Sequence, residues 1–126
     1  MVNINIFSKS SEYDTFLKGA VIFKAGDSGD LAYAVKEGVV NILVGERVVE
    51  QVKPGGIFGE MALIDHNTRS ATAVAATDCQ LVPISARQFT LLVQQTPFFA
   101  LEVMRLMAER LRSANECLQI SPHTPA

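Results

Sequence analysis

The sequence predicts a mainly β fold, an antiparallel β-roll of the jelly-roll barrel type closed by two C-terminal α-helices. Three observations lead there. Between Gly19 and Ile84, short β-like runs (AVIF, LAYAVKEG, VVNILV, RVVEQV, SATAVAA, CQLVPI) alternate with glycine-rich turns, the pattern of a sandwich or barrel. From Ser85 onward the apolar residues recur at helical spacing. The 126 residues, 48% of them hydrophobic, suffice for one core and not for two. Residues 1–126 therefore read as a single domain, with the roll over about 14–84, helices over about 86–118 and a frayed tail at 119–126.

Each element has its own local reason. AVIF runs into the turn AGDSGD, where Asp27 and Asp30 suit hydrogen bonds to the local backbone better than metal ligation. LAYAVKEG and VVNILV reverse at Glu37 and Gly38, and a hairpin to RVVEQV opens at Gly45 and Glu46. After KPGG, the segment GEMALID has room for two helical turns at most, and DHNT is a loop leading into the last two strands. Ser85 suits the N-cap of a helix from Ala86 to about Gln94, and Thr96 followed by Pro97 starts a second one that runs to about Leu118. Along that helix Met104, Met107, Leu111, Ala114 and Leu118 recur at spacings of three and four, with Phe99, Val103 and Leu106 widening the stripe into an expected buried face.

Composition narrows the function. A net charge of −2 and a pI of about 5.6 provide no basic footprint, so no direct nucleic-acid partner is expected. No apolar run approaches the roughly 20 residues of a membrane span, and the N-terminus lacks signal-peptide features, so the expected location is cytoplasmic, with no membrane partner. Cys79 and Cys117 match no CxxC spacing and read as reduced, partly buried thiols. His66 and His123 are too few for a histidine-rich metal site, and no serine sits in a nucleophile-elbow pattern, so neither a metal cofactor nor enzymatic activity is expected.

The informative stretch is GGIFGEMALIDHNTRSATA, residues 55–73, where Glu60 and Arg69 stand in an apolar frame. With FGEMALID as a short helix and RSATA as the returning strand, Gly59 and Glu60 lie at the helix N-terminus, where free N–H groups favour an anion. Arg69 brings a planar fork suited to phosphate oxygens, and Glu60 an acceptor for a sugar hydroxyl. Gly55, Gly56 and Gly59 allow close backbone approach, and Ala71 leaves room. The combination suits a ribose phosphate. The same two residues could also form an ordinary ion pair that holds the loop.

From about Phe16 to Arg112, the order GAVIFKAGDSGDLAYAVKEGVVNI, PGGIFGEMALIDHNTRSATAVAATDCQLVPI, FTLLVQQTP, MRLMAERLR resembles the cyclic nucleotide-binding domain family, represented among catabolite activator proteins, protein kinase A and G regulatory segments and nucleotide-gated channels. The resemblance implies a cupin-like roll in which Glu60 binds the ribose 2′-OH and Arg69 the cyclic phosphate. It assigns Phe58, Gly59, Met61, Ala62, Ser70 and Ala71 to the same phosphate-binding cassette. No DNA-binding, catalytic or membrane segment accompanies the resemblance, which suggests a free-standing sensor of cAMP or, as second candidate, cGMP. It would act on an effector protein in trans. A scaffold with a vestigial pocket is the alternative. Ser70 permits either base, and cAMP is favoured because no other residue marks a guanine-specific contact, such as a carboxylate at the base edge. The resemblance also implies a homodimer through the last helix, with Arg110, Arg112 or Asn115 as candidate base-capping groups.

Overall fold

The computed structural model describes residues 12–65 and 67–119, with side chains to residue 113. Eight strands precede or flank one short helix: β1 (Asp14–Phe16), β2 (Val21–Phe23), β3 (Leu31–Glu37), β4 (Val40–Val44), β5 (Arg47–Val52), β6 (Ile57–Phe58), α1 (Glu60–Asp65), β7 (Thr72–Ala75) and β8 (Cys79–Ser85). Two helices follow, α2 (Ala86–Gln95) and α3 (Pro97–Gln119). The strands form two antiparallel four-stranded sheets, ordered β1-β8-β3-β6 and β2-β7-β4-β5. This is the β-roll with C-terminal helices that the sequence predicts.

Alternation along β3 explains why its burial runs unbroken from Ala32 to Val35. Tyr33 and Val35 face the interior between the sheets, where they meet Val40, Val52, Phe58, Ala73, Ala75 and Leu81. Ala32 and Ala34 face the other way, into a second core with Leu63, Val82, Ile84, Phe99, Val103 and Leu106. Successive side chains of a strand point to opposite faces, so a strand covered on both sides reads as a continuous apolar run. The small alanines let the helices approach closely, and Phe89 meets Phe99 edge-on at 5.4 Å in that seam.

The turns follow local chemistry. Gly45, at φ 64°, supplies the left-handed residue of the β4–β5 reversal. Glu50 pairs with Ile42 and Val48 with Leu43, so Val49 is the extra residue of a bulge. Ser85 caps α2 in a reciprocal box with Gln88: the Gln88 N–H donates to Ser85 Oγ at 3.2 Å, and the Ser85 N–H to Gln88 Oε1 at 2.9 Å. Asp27 accepts the Lys24 N–H at 2.9 Å, a turn contact as expected. Cys79 is buried, its Sγ 3.2 and 3.1 Å from the carbonyl oxygens of Val39 and Thr77. The side chain of Cys117, the expectations for His66 and His123, and the tail beyond Gln119 lie outside the described residues.

One expectation is corrected. On α3, Phe99, Val103 and Leu106 are buried, but Met104 and Leu111 are each 63% exposed. This helix carries apolar residues on more than one face, and a spacing pattern cannot say which face docks on the sheet. In α1, Ala62 and Leu63 are buried, whereas Met61 and Ile64 are nearly half exposed, because six residues offer one face to the core and the other to the surface.

Candidate functional site

The segment from β6 through α1 to β7 lines a cavity of about 740 Å³, which α3 and the β4–β5 hairpin also wall. That volume lies within the usual range of small-molecule sites, roughly 300–1,000 Å³. All eight residues singled out in the sequence (Phe58, Gly59, Glu60, Met61, Ala62, Arg69, Ser70, Ala71) line it together.

Arg69 is positioned by backbone and side chain alike. Its N–H donates to Asp27 O, and its own carbonyl accepts the Gly26 N–H, both at 2.8 Å, so the turn after β2 holds the residue from both sides. Its Nη1 donates to Gly59 O at 3.0 Å and its Nη2 to Leu31 O at 2.6 Å. The guanidinium lies 4.0 Å from the centroid of the Phe23 ring, a cation–π contact, and Phe23 stacks in turn on Tyr33. Two glycines make the space. A Cβ on Gly59 would sit 2.8 Å from Arg69 Nη1, at a φ of 79° that already favours glycine, and a Cβ on Gly29 would sit 2.6 Å from Arg69 Nε. Burial lowers the guanidinium pKa from its ordinary value, with Tyr33, Asp30 and Asp27 opposing the shift. Arg69 Nε has no hydrogen-bond partner in the protein.

Glu60 opens α1 and is fully buried. Its Oε1 accepts from Nη1 of Arg110 on α3, while Oε2 has no protein partner. Burial pushes the carboxyl pKa above its ordinary value; the Arg110 charge opposes that shift and Glu50 adds to it. Glu60 and Arg69 therefore do not pair with each other. Each has a different partner set and one buried polar atom left unpaired, which argues against a simple loop-holding ion pair and suits a polar guest.

Arg110 is held from three sides. Besides Glu60, its Nε and Nη2 take the two oxygens of Glu50 on β5 at 2.9 and 3.3 Å, and Nη2 donates to Ile57 O at 3.0 Å. Of the three residues expected to cap a base, Arg110 is thus in the cavity wall; Arg112 is exposed and does not line it, and the Asn115 side chain lies outside the described residues. Glu50 went unmarked in the sequence. It lines the same cavity as the eight residues above. A lone acidic residue two positions from buried Val52, on the same face of the strand, was the available signal.

Among the described residues no cluster of histidine, cysteine and carboxylate side chains is arranged to hold a metal, and no helix is long and apolar enough to cross a membrane.

Comparison with known proteins follows the same segments. The family model for the cyclic nucleotide-binding domain matches residues 13–96. The cyclic AMP receptor protein of Thermus thermophilus is 38% identical over 103 residues, covering 78% of this chain and 48% of that protein. A cAMP-dependent protein kinase regulatory subunit of Eremothecium gossypii is 47% identical over 64 residues, covering 51% of this chain and 14% of its own. The crystal structure of Thermus thermophilus catabolite activator protein superposes with a TM-score of 0.75 at 33% identity, over 86% of this chain and 54% of that one. The chain thus spans about half the length of the first of these relatives and a small part of the second.

Proposed function

The chain belongs to the cyclic nucleotide-binding domain family, and from that premise we propose that it is a cytoplasmic, non-catalytic sensor that binds a cyclic purine mononucleotide, cAMP in preference to cGMP. The observation that carries this reading is the division of labour across one cavity. Arg69 offers unused guanidinium N–H groups beside Gly59, and Glu60 offers an unused buried carboxylate oxygen. A cyclic phosphate on the first and a ribose hydroxyl on the second would satisfy both. Its relatives, a cyclic AMP receptor protein and a cAMP-dependent protein kinase regulatory subunit, support cAMP as the ligand.

Signalling passes to an effector protein through movement of α3, which touches the ligand site at Arg110. Isothermal titration of cAMP and cGMP into the wild type and Arg69→Ala tests the reading. The wild type is expected to bind, and Arg69→Ala to lose about 2–5 kcal/mol for either nucleotide. Equal affinity in the two proteins, or no wild-type binding at millimolar nucleotide, overturns it in favour of a scaffold with a vestigial pocket.

A second reading, homodimerisation, rests on the outer face of α3. Leu101, Met104 and Leu111 are exposed there at 44%, 63% and 63%, a stripe at coiled-coil spacing. Pairing with the same helix of a second copy buries it. Sedimentation of a monomer at tens of micromolar, with and without nucleotide, counts against the dimer.

A further inference from the structure

We propose that Glu50 selects the base of the bound nucleotide, favouring a purine that presents an amino group at C6 over one that presents a carbonyl oxygen there. The inference rests on the nucleotide reading above and adds a specificity residue to it. With the ribose phosphate assigned to Glu60 and Arg69, the base must occupy the remainder of the cavity, whose wall is the β4–β5 hairpin and α3. Ile42, Val44 and Val49 make that wall apolar and suited to the face of a purine ring. Two carboxylates stand in that wall, Glu50 on β5 and the exposed Glu109 on α3, and Glu50 is the one that Arg110 holds in place.

The position of Glu50 is fixed rather than free. Its side chain is 31% exposed, and the Arg110 fork takes one hydrogen bond on each carboxylate oxygen, at 2.9 and 3.3 Å. Each oxygen keeps a further lone pair, and a carboxylate only accepts. Adenine carries an N6 amino donor where guanine carries the O6 acceptor. In the same orientation, adenine gives Glu50 a hydrogen bond, whereas guanine sets an oxygen against a carboxylate and loses its water without replacement. Guanine avoids this only by turning over about its glycosidic bond. Arg110 acts here as a positioning residue: it holds Glu50 in place and ties α3 to the same group.

Cyclic AMP and cyclic GMP share their ribose phosphate, so the ratio of their dissociation constants cancels what Glu60 and Arg69 contribute and isolates the base. Calorimetric titration of both nucleotides into the full chain, Glu50→Gln and Arg110→Lys reads that ratio. The glutamine variant keeps the shape of the side chain, and its amide can donate to O6 as well as accept from N6. The preference for cAMP is expected to fall by roughly tenfold or more in Glu50→Gln, mainly through tighter cGMP binding. Arg110→Lys, which keeps a cation for Glu60 but loses the fork on Glu50, is expected to move the ratio in the same direction. An unchanged ratio in Glu50→Gln overturns the proposal and leaves the nucleotide reading intact. So does a variant that loses cGMP selectively, which would mean that the carboxylate accepts from guanine N1–H and N2–H. A wild type that binds neither nucleotide removes both readings at once.

Discussion

Arg110 and Glu60 stand 50 positions apart in sequence, yet Nη1 of the one donates to Oε1 of the other in the wall of the cavity. The pair joins the first residue of α1 to the middle of α3, and Glu50 joins both to β5. A guest bound to the free oxygen of Glu60 therefore shares a carboxylate that also holds α3. Breaking a buried ion pair by removing one partner costs several kcal/mol, about 3–5, because a charge is left unpaired; exchanging partners avoids most of that cost. The link gives the proposed sensor a physical path from the cavity to its last helix.

Amide hydrogen exchange is expected to show the link. Nucleotide addition changes protection in residues 100–118 as well as in 55–75, because a ribose hydroxyl on the free oxygen of Glu60 shares the carboxylate that holds Arg110 and α3. A response confined to 55–75 describes a binder without a switch.

Gly29→Ala is expected to damage the phosphate end of the site. The new Cβ would lie 2.6 Å from Arg69 Nε and 2.7 Å from the Ala62 Cβ, so Arg69 or α1 has to move. Overpacking of this kind costs typically about 1–3 kcal/mol. Thermal unfolding and nucleotide titration of the variant are expected to show both lower stability and weaker binding of cAMP and cGMP alike. Wild-type affinity for both shows that Arg69 does not need its present seat.

Glu60 makes stability depend on pH in a defined direction. Its carboxyl pKa is raised in the folded protein from an ordinary 4.5, chiefly by burial. The folded state therefore binds this proton more tightly than the unfolded chain. The contribution favours folding below the unfolded pKa and is lost as pH rises from there through the folded value. Compared with Glu60→Gln, which never ionises, the wild type is expected to lose relative stability as pH rises above the ordinary carboxyl value of 4.5. Denaturant titrations of both proteins across that range check the sign; a wild type that gains on the variant as pH rises shows that the Arg110 charge outweighs burial.

Ser70 bears on how a guanine base would bind. It is exposed at the cavity edge just after Arg69, where its hydroxyl can meet the amino group of a guanine that has turned over. Ser70→Ala is expected to weaken cGMP by about 1–3 kcal/mol and to leave cAMP unchanged, as measured by competition titration. Equal losses for the two nucleotides point instead to a hydroxyl contact with the shared phosphate.

The sequence by itself determined six of the eight strands, the helices and the segment that lines the cavity, because these are written in local spacing, whereas β1 and β6, three and two residues long, are too short to carry a period. Glycine at 45 marks the β4–β5 reversal, Ser85 caps α2, Pro97 starts α3, and among the described residues the run from Phe58 to Ala71 carries eleven that line the cavity, the eight singled out in the sequence among them. The tertiary structure alone decided which distant side chains complete the site. Glu50 and Arg110, 60 residues apart, meet because β5 pairs into the second sheet while α3 docks over the first. Phe23, Gly29 and the Leu31 carbonyl form the seat of Arg69 through the same folding of strands. The face of α3 that is buried was settled there too. Several apolar stripes run along that helix, and the one through Phe99, Val103 and Leu106 docks on the alanines of β3, leaving Met104 and Leu111 exposed. A periodic pattern fixes that a helix has an apolar face; only the surface it packs against chooses among several.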